Sequence, residues 1–381
     1  ARVVGGAVRN AMFGQTPDEI DIATTAVPDT VIERARAAGF KAVPTGVDHG
    51  TVTVVAAGRP FEVTTLREDV ETFGRHATVK FGRDWTRDAQ RRDFTMNGLS
   101  LSPDGKLHDD VGGVADLKAR RVRFIGDAAT RIAEDYLRIL RFFRFHAYYG
   151  EGDLDAAGLR AAIAQRDGLA RLSPERIHME LTKLLLAPRA AAAFSAMADA
   201  GLLAPVLQGR SDIEAFTKMS NIEAACGLPP DSARRLAALG VWPAEDLALL
   251  GQRLRLSNIE RDKIIAMSDH FWLVNPHIGE RGARELIYAI GAEQFRDRAL
   301  LAWSRSDASP HDKAWRDLAT LPERWSAPVF PLKAADFIAR GVEKGPSLGA
   351  ALARAQRAWV ERGFPMDQRA LNEIVNDALG G

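Results

Sequence analysis

The sequence predicts an α+β protein in which a mixed N-terminal part is followed by an all-helical remainder. Over the first ~125 residues, short apolar β-branched runs alternate with helical segments, and Gly and Pro turns separate them. From Asp127 onward strand signals become rare, while Ala, Leu and Arg recur at helical spacing. With 381 residues and a typical domain of ~150 residues, the chain should contain two or three domains.

The composition excludes several classes of protein. It is 46% hydrophobic and 27% charged, as is usual for a folded globular chain, and no apolar run approaches the ~20 residues of a membrane span. The single cysteine, Cys226, excludes an internal disulfide framework and a cysteine-based zinc site, so we expect a reducing, cytoplasmic setting. The net charge of +1 means that an anionic partner must be recognised by local charge. Because the chain begins at Ala1 without methionine, we expect part of the natural N-terminus to be missing.

The predicted elements follow from periodicity and turn residues. Asp127 or Thr130 should cap a long helix that reaches about Tyr149, and Ser173-Pro174 should open another. Residues 67–82 lack clear periodicity, which predicts an exposed mobile loop. In the N-terminal part we expect a strand at 3–4, a helix at 7–13, a strand at 19–23, a helix from Pro28, a hairpin of 51–56 with 61–66 and a hairpin of 99–101 with 106–108.

Paired carboxylates near the start of the chain suggest a metal site. On a strand with a side-chain period of two, Glu19 and Asp21 share one face, while Ile20 and Ile22 face the core. Two adjacent carboxylates repel, and a divalent cation such as Mg²⁺ removes that cost by binding them together with substrate phosphates. An isolated acid-x-acid pattern is more often a solvated strand end. Glu62, on the next long hairpin, is equally a third ligand or an edge-strand surface charge.

Two further segments have the chemistry of a nucleotide site. Gly5-Gly6 lies between a predicted strand and helix, where backbone amides suit a phosphate, and Arg9 adds a guanidinium fork. Taken alone, such a pair is better explained as a tight turn. Residues 91–97 hold two arginines, an aspartate and an asparagine, which offer donors for phosphate and acceptors for sugar hydroxyls. A surface helix could carry the same charges without any function.

A polar stripe is predicted on the long helix. Asp135, Arg138, Arg141 and Arg144 recur every three residues, and an Asp/Arg pair could read the amino group and ring edge of both cytosine and adenine. A salt bridge on a solvated helix would give the same pattern. Residues 118–144 contain eight basic and three acidic residues, a net +5 that would attract a phosphate backbone or simply mark a solvated face.

Motifs spread over residues 3–186 resemble, in order, those of the class II tRNA nucleotidyltransferase and bacterial poly(A) polymerase family: GGAVRN, EIDIATTA, FEVTTLR, RRDFTMN, DDVGGVADL and EDYLRILRFFRF. The resemblance implies a polymerase-β-like nucleotidyltransferase head at 1–126, a helical neck at 127–188, and a helical, RNA-binding body and tail at 189–381. It implies a template-independent enzyme that adds CCA to tRNA 3′ ends from CTP and ATP by two-metal phosphoryl transfer with Mg²⁺.

The resemblance also assigns roles to individual residues. The segment 173–180 matches the family's neck helix, from which we expect support rather than chemistry. Because Arg141 continues the polar stripe, we add it to the nucleotide-binding group. The assigned residues are Glu19 and Asp21 for the two metals, Glu62 as third carboxylate, Gly5, Gly6 and Arg9 for the triphosphate, Arg92, Asp93 and Asn97 for ribose and nucleotide, and Asp135 and Arg138 as template for the base.

The sequence departs from the family pattern at two positions. Glu19 stands where an aspartate is usual, which moves the ligand oxygen by roughly one bond length, and Asn10 replaces the common aspartate after Arg9. A catalytically silent RNA-binding protein is therefore one alternative. Another is a poly(A) polymerase or a partial A- or C-adding enzyme. Tyr136-Leu137 favours the tRNA enzyme, because polyadenylating relatives tend to carry Pro-Val there. The oligomeric state is left open.

Overall fold

The computed structural model describes residues 1–17, 19–73, 76–240 and 244–380. The chain divides into two compact units, Ala1–Gly209 with Arg253–Arg255, and Arg210–Gln252 with Leu256–Gly381. The predicted boundaries after residues 126 and 188 both fall inside the first unit, and the division into head, neck and body remains a prediction. Among the described residues, no helix combines the length and apolar character needed to cross a bilayer.

In the described ranges, nine strands form a mixed seven-stranded sheet, in the order β3-β4-β5-β2-β1-β8-β9, and a separate hairpin of β6 with β7. β2 runs parallel to β5, and its other neighbour, β1, is antiparallel to it. The strands are β1 Arg2–Val4, β2 Asp21–Thr24, β3 Lys41–Gly46, β4 Thr51–Ala56, β5 Arg59–Thr65, β6 Arg67–Phe73, β7 His76–Phe81, β8 Ser100–Leu101 and β9 Leu107–His108.

Helices make up most of the rest, and beyond β9 the described part of the chain contains no further strand. The helices are α1 Gly6–Met12, α2 Pro28–Ala37, α3 Trp85–Gln90, α4 Gly113–Lys118, α5 Ala128–Glu134, α6 Leu137–Tyr149, α7 Ala156–Ala164, α8 Pro174–Leu185, α9 Ala190–Asp199, α10 Leu203–Leu207, α11 Ile213–Ala225, α12 Ser232–Gly240, α13 Ala244–Leu254, α14 Asn258–Ser268, α15 Gly279–Ile290, α16 Ala292–Ser304, α17 Lys313–Ala319, α18 Leu321–Arg324, α19 Ala334–Ile338, α20 Pro346–Glu361 and α21 Gln368–Gly380.

Two predicted elements are wrong in the N-terminal part. The expected mobile loop at 67–82 is instead a hairpin in which Arg67 pairs with Phe81. Backbone hydrogen bonds define these strands, and they need no apolar alternation, which is why periodicity missed them. The strand expected at 19–23 begins at Asp21, so Glu19 and Ile20 precede it. Ile20 is 37% exposed and does not face the core as predicted.

The expected long helix from about 128 to 149 is broken at Asp135. This residue has an extended backbone (φ −156°, ψ 107°), and α6 starts anew at Leu137. The cause is local, because the Asp135 carboxylate accepts a hydrogen bond from the Leu137 amide at 3.1 Å. A short polar side chain that bonds nearby backbone competes with helix continuation. Asp135 therefore lies in a corner between two helices rather than on a helical stripe.

Aromatic packing holds the segment 91–97 against α6. The Phe94 ring is fully buried, and its centroid lies 4.9 Å from that of Phe124 and 5.0 Å from that of Phe145. Phe142, also fully buried, stacks on Phe124 at 5.4 Å. Burying aromatic rings in tilted and stacked pairs contributes both area and pair energy, so the polar residues on either side of Phe94 are fixed against the helix.

In the second unit, a buried ion cluster joins three helices. Glu223 of α11 is 1% exposed and accepts from Arg234 Nε at 3.0 Å and Arg235 Nε at 2.7 Å, both on α12. Arg234 also donates to Asp297 of α16 at 3.2 Å. Removing one partner of such a cluster would leave a buried charge unpaired, so we assign it to the stability of this unit.

The start of α4 touches the segment 91–97 more closely than a side chain would allow. A Cβ placed on Gly113 would lie 2.2 Å from the backbone oxygen of Thr95. The Thr95 hydroxyl donates to Asp116 of α4 at 2.7 Å, and Asp116 is fully buried. Glycine at 113 is thus a condition for bringing α4 against this loop.

We predict that Gly113→Ala lowers the free energy of unfolding by about 1–3 kcal/mol, because the backbone of Thr95 would have to shift. Chemical denaturation would measure it. Gly349→Ala in α20 is the control, since a Cβ there meets nothing within 4 Å, and it should leave stability unchanged or raise it by up to about 1 kcal/mol. Equal effects of the two variants would contradict the prediction.

Candidate active site

A polar pocket in the first unit collects the predicted site residues. It is formed by the turn before α1, the start of β2, the segment 91–97, the corner at Asp135 and one face each of α6 and α8. Every predicted site residue except Glu62 lines it, although their roles remain predictions. The lining residues are Gly5, Gly6, Arg9, Glu19, Asp21, Arg91, Arg92, Asp93, Asn97, Asp135, Leu137, Arg138, Arg141, Phe145 and Arg176.

The three predicted carboxylates lie around the start of β2. Asp21 is the first residue of β2, and the parallel register places Glu62 of β5 directly beside it. Glu62 lines an adjoining cleft together with Glu19 and Asp21. Burial raises the pKa of Asp21, the nearby charge of Glu19 raises it further, and Arg92 opposes both. The site thus holds one carboxylate, Asp21, whose ionisation is disfavoured in the absence of a cation.

This donor set fits a hard divalent cation that is shared with substrate. Within the ranges described, no three acidic, His or Cys side chains are gathered closely enough to hold a metal ion on their own. Mg²⁺ commonly binds through one or two carboxylates and completes its shell with phosphate oxygens and water. Glu19 and Asp21 supply that number of carboxylates, and the raised pKa of Asp21 is what a bound cation would reverse.

Glycine is needed at position 5 because the turn has a left-handed backbone and the Arg92 side chain lies close against it. Gly5 has φ 67°, a conformation that favours glycine, and its carbonyl accepts from the Arg9 amide at the start of α1. A Cβ on Gly5 would lie 2.9 Å from Arg92 Nη1. The turn therefore lies directly against a guanidinium group, which leaves its backbone and Arg92 facing the same pocket.

Arg9 lines the pocket and is also hydrogen-bonded to several protein side chains. Its side chain is buried, and it donates to Asn97 Oδ1 at 2.5 Å and to the Tyr149 hydroxyl at 2.9 Å. Nε and Nη2 both reach Asn10 Oδ1, at 3.1 and 2.9 Å. Burial lowers the pKa of Arg9, while Tyr149 and Asp93 raise it. The predicted phosphate fork thus holds Asn97 in place, a link that the sequence did not indicate.

Asp93 is the most heavily bonded acid of the site. One carboxylate oxygen accepts from the Phe94 amide and Asn97 Nδ2, each at 2.8 Å. The other accepts from Arg141 Nε at 2.8 Å and Nη2 at 2.6 Å. Burial would raise the pKa of Asp93, but Arg141 and Asn97 outweigh it and hold the pKa below the ordinary value. Arg141 also reaches Glu180 of α8 at 3.3 Å, so the loop is tied to two helices.

The side chains of the two predicted base-reading residues are held by different partners, while a backbone hydrogen bond from the Arg138 amide to the Asp135 carbonyl, 3.0 Å long, joins the two residues. Asp135 accepts from Arg176 of α8 at 2.7 Å. Arg138 donates to the Glu134 carboxylate. The 173–180 helix was expected to give support rather than chemistry, and the contact of Arg176 with Asp135 agrees with support, although Arg176 also lines the pocket. A usable signal was present, because Arg176 and Glu180 are four residues apart and lie on one helix face.

The basic stretch at 118–144 is largely neutralised within the fold. Its Arg121 and Arg123 pair with Asp116, and Arg120 pairs with Glu151. Arg141 and Arg144 pair with Glu180 of α8. The excess counted along the sequence ignored acids that come from outside the stretch, so it overstates the positive charge that these residues leave unpaired.

A mixed sheet with carboxylates beside a glycine turn, completed by helices that close a polar pocket, is the architecture of a nucleotidyltransferase. Residues 1–123 match the family described as Poly A polymerase head domain, and residues 154–213 match Probable RNA and SrmB- binding site of polymerase A. The polymerase-β-like fold class that the sequence predicted is confirmed by the structural likeness below.

The relatives extend this match over the whole chain. The mitochondrial CCA tRNA nucleotidyltransferase 1 of Mus musculus is 35% identical, over 98% of this chain and 86% of its own length. The CCA-adding enzyme of Limosilactobacillus fermentum is 30% identical, over 100% and 93%. The Bacillus stearothermophilus CCA-adding enzyme, solved in complex with CTP, is 28% identical, with a TM-score of 0.74 over 100% of this chain and 93% of that one. The chain therefore belongs to the class II CCA-adding enzyme family.

We predict that Asp93→Asn lowers the unfolding free energy by about 1.5–3 kcal/mol at pH 7, because Arg141 loses an ionised partner. Since the folded pKa of Asp93 lies below its unfolded value, this stabilisation is complete above pH ~5 and is lost as pH falls below ~4. The difference in unfolding free energy between Asp93→Asn and the wild type should therefore become smaller at acidic pH. Denaturation at several pH values would measure it.

Asp167→Asn is the control, because its side chain is fully exposed and its nearest cation is 4.0 Å away. It should show no difference from wild type at any pH. A stability difference for Asp93→Asn that stays constant into acid would overturn the assignment.

Proposed function

We propose that the protein adds C, C and A in turn to the 3′ end of tRNA from CTP and ATP, without a nucleic-acid template. The observation that carries this proposal is the gathering of the carboxylates, the glycine turn, the 91–97 loop and the Asp135–Arg138 corner around one pocket. The activity named for the mouse and bacterial relatives supports it. A cytoplasmic location is part of the proposal, although the mouse relative is mitochondrial.

We place two Mg²⁺ ions at Glu19 and Asp21, with Glu62 as a third carboxylate on the neighbouring strand. Family members generally use divalent metals, and the two ions in particular are our proposal. When bound, they would supply a lowered pKa for the attacking 3′-hydroxyl and neutralisation of the triphosphate. The protein's own contribution would be to hold its carboxylates around the start of β2, beside a turn whose backbone can approach phosphate oxygens.

The sugar would be held by the residues that Asp93 positions. All four acceptor positions of the Asp93 carboxylate are used by Phe94, Asn97 and Arg141. A ribose hydroxyl would have to displace one of them. Asn97 keeps a second N–H on Nδ2, and Arg141 keeps guanidinium N–H groups beyond its three contacts. We therefore propose that these donors meet the nucleotide while Asp93 orients them.

The base would be read by Asp135 and Arg138. Each oxygen of the Asp135 carboxylate accepts one hydrogen bond, from Arg176 or from the Leu137 amide. The remaining lone pairs can accept from the exocyclic amino group that cytosine and adenine both carry. Arg138 retains donors besides those directed to Glu134 and to the carbonyl of Arg131. Both cytosine and adenine could then be recognised in the same way, with the Asp135 carboxylate accepting from the amino group and the Arg138 guanidinium donating to an acceptor on the base edge.

A poly(A) polymerase or a partial A- or C-adding enzyme is the second candidate, because the head matches the Poly A polymerase head domain. We favour the tRNA enzyme because Tyr136-Leu137 stand where Pro-Val is typical of polyadenylating relatives. A silent RNA-binding protein is the candidate from another class, motivated by Glu19.

The test is to incubate the protein with MgCl₂ and a tRNA that lacks its terminal CCA, adding CTP and ATP separately and together. We expect two C residues with CTP alone and a complete CCA end with both nucleotides. Addition of A tails to unrelated RNA would favour the second candidate. No incorporation by folded protein would reject the proposal and leave the silent binding protein.

We predict that Glu19→Asp keeps or raises the rate, because it shortens the side chain but retains the carboxylate. Glu19→Gln should lower kcat by about a hundredfold or more, since it removes one metal ligand. Single-turnover extension of tRNA measures both. Glu33→Gln on the exposed face of α2 is the control and should match wild type. Equal activity of Glu19→Gln and wild type would show that Glu19 is not a ligand.

A further inference from the structure

Arg131 touches two parts of the pocket without lining it. This α5 side chain is 11% exposed, and its Nη2 donates to the backbone oxygen of Arg92 at 2.6 Å and to that of Arg91. Its Nη1 donates to Glu134. The Arg131 guanidinium therefore holds the backbone at the start of the 91–97 loop, although this loop lies some forty residues earlier in the chain.

The same side chain is joined to the base-reading corner. A single oxygen, Glu134 Oε2, accepts from both Arg131 and Arg138. Arg138 also donates to the backbone oxygen of Arg131 at 2.6 Å. Because the helix is interrupted at Asp135, helical hydrogen bonds do not run continuously from α5 into α6. Hydrogen bonds made by the side chains of Arg131, Glu134 and Arg138 join α5 to α6 across this break.

The two anchored regions correspond to two ends of one ligand. Arg92 begins the loop proposed to meet sugar and phosphate, and Arg138 is proposed to read the base. The distance from base to sugar in a nucleotide is fixed by covalent bonds, so the protein groups that read them must keep a matching separation. Such groups must be held within about 0.5 Å of the productive geometry.

We propose that Arg131 is a positioning residue that sets the separation between the base-reading corner and the 91–97 loop, and thereby determines nucleotide selectivity. This inference rests on the function proposed above. The planar guanidinium suits the task, because its separate N–H groups reach two carbonyls and a carboxylate at once. A lysine ammonium keeps the charge but offers its donors from a single atom, so it cannot reproduce this fork.

The test is Arg131→Lys, with KM and kcat measured for CTP and ATP on tRNA substrates, and with UTP and GTP offered as wrong nucleotides. We expect KM for both correct nucleotides to rise about tenfold or more while KM for tRNA is unchanged. Incorporation of UTP and GTP relative to CTP and ATP should also rise about tenfold. A structural role alone would not change which nucleotide is chosen.

Arg234→Lys is the matched control. Arg234 is also a buried arginine that bridges carboxylates and a backbone carbonyl, but it lies in the ion cluster of the second unit. It should lower the melting temperature without altering nucleotide KM or misincorporation. The same kinetic change in both variants, or no change in selectivity for Arg131→Lys, would overturn the proposal.

A second variant keeps the test valid if Arg131→Lys fails to fold. Glu134→Gln keeps the side-chain size but removes the charge shared by Arg131 and Arg138, and we expect the same loss of selectivity. Equilibrium binding of CTP, UTP and GTP by the folded variants, without tRNA, gives a further readout. If wild type distinguishes the nucleotides in binding but extends no tRNA, the proposed function fails while the positioning role of Arg131 can still be decided.

Discussion

The ion pair of the buried Asp93 with the half-buried Arg141 is the interaction on which the pocket depends. A carboxylate placed away from water is stable when its lone pairs and charge are matched, and Asp93 meets that condition through Arg141 and Asn97. Arg141 in turn reaches Glu180, and Asn97 is held by Arg9. One chain of hydrogen bonds therefore runs from α1 through the 91–97 loop to α6 and α8, so these elements cannot shift separately without breaking one of these bonds.

The sequence could predict the members of the site because several of their signals are local. A glycine pair before a helix and alternating acids near a strand are recognised from adjacent residues, and the resemblance of the ordered motifs indicated the other site residues. The sequence could not predict the contacts between residues that are far apart along the chain. The bonds of Arg9 to Asn97 and Tyr149 join residues some ninety and one hundred and forty positions apart, so no local pattern could indicate them, and a role of Arg9 at the triphosphate stays a prediction. The break at Asp135 was local but was hidden by a continuous helical pattern.

The net charge of residues 118–144 also could not be interpreted from neighbouring residues alone. The excess of arginines between 118 and 144 looks like a surface for a polyanion when acids are counted only within that stretch. In the fold, Asp116 and Glu180 are buried, and each takes two of those arginines. These arginines serve first to neutralise buried carboxylates, which explains how a nearly neutral chain can contain so basic a segment without presenting its full charge to a partner.

The two departures from the family pattern have a structural explanation. Glu19 precedes β2, so strand alternation does not fix where its side chain points, and its longer arm starts from an exposed segment. At Asn10, the amide oxygen takes two hydrogen bonds from Arg9, as a carboxylate would, but it brings no charge. The charge of Arg9 is then compensated partly by Asp93, whose field raises the pKa of that arginine. Asn10 thus keeps a contact with Arg9, and Glu19 keeps a carboxylate in the lining of the pocket, which argues for an active enzyme over a silent one.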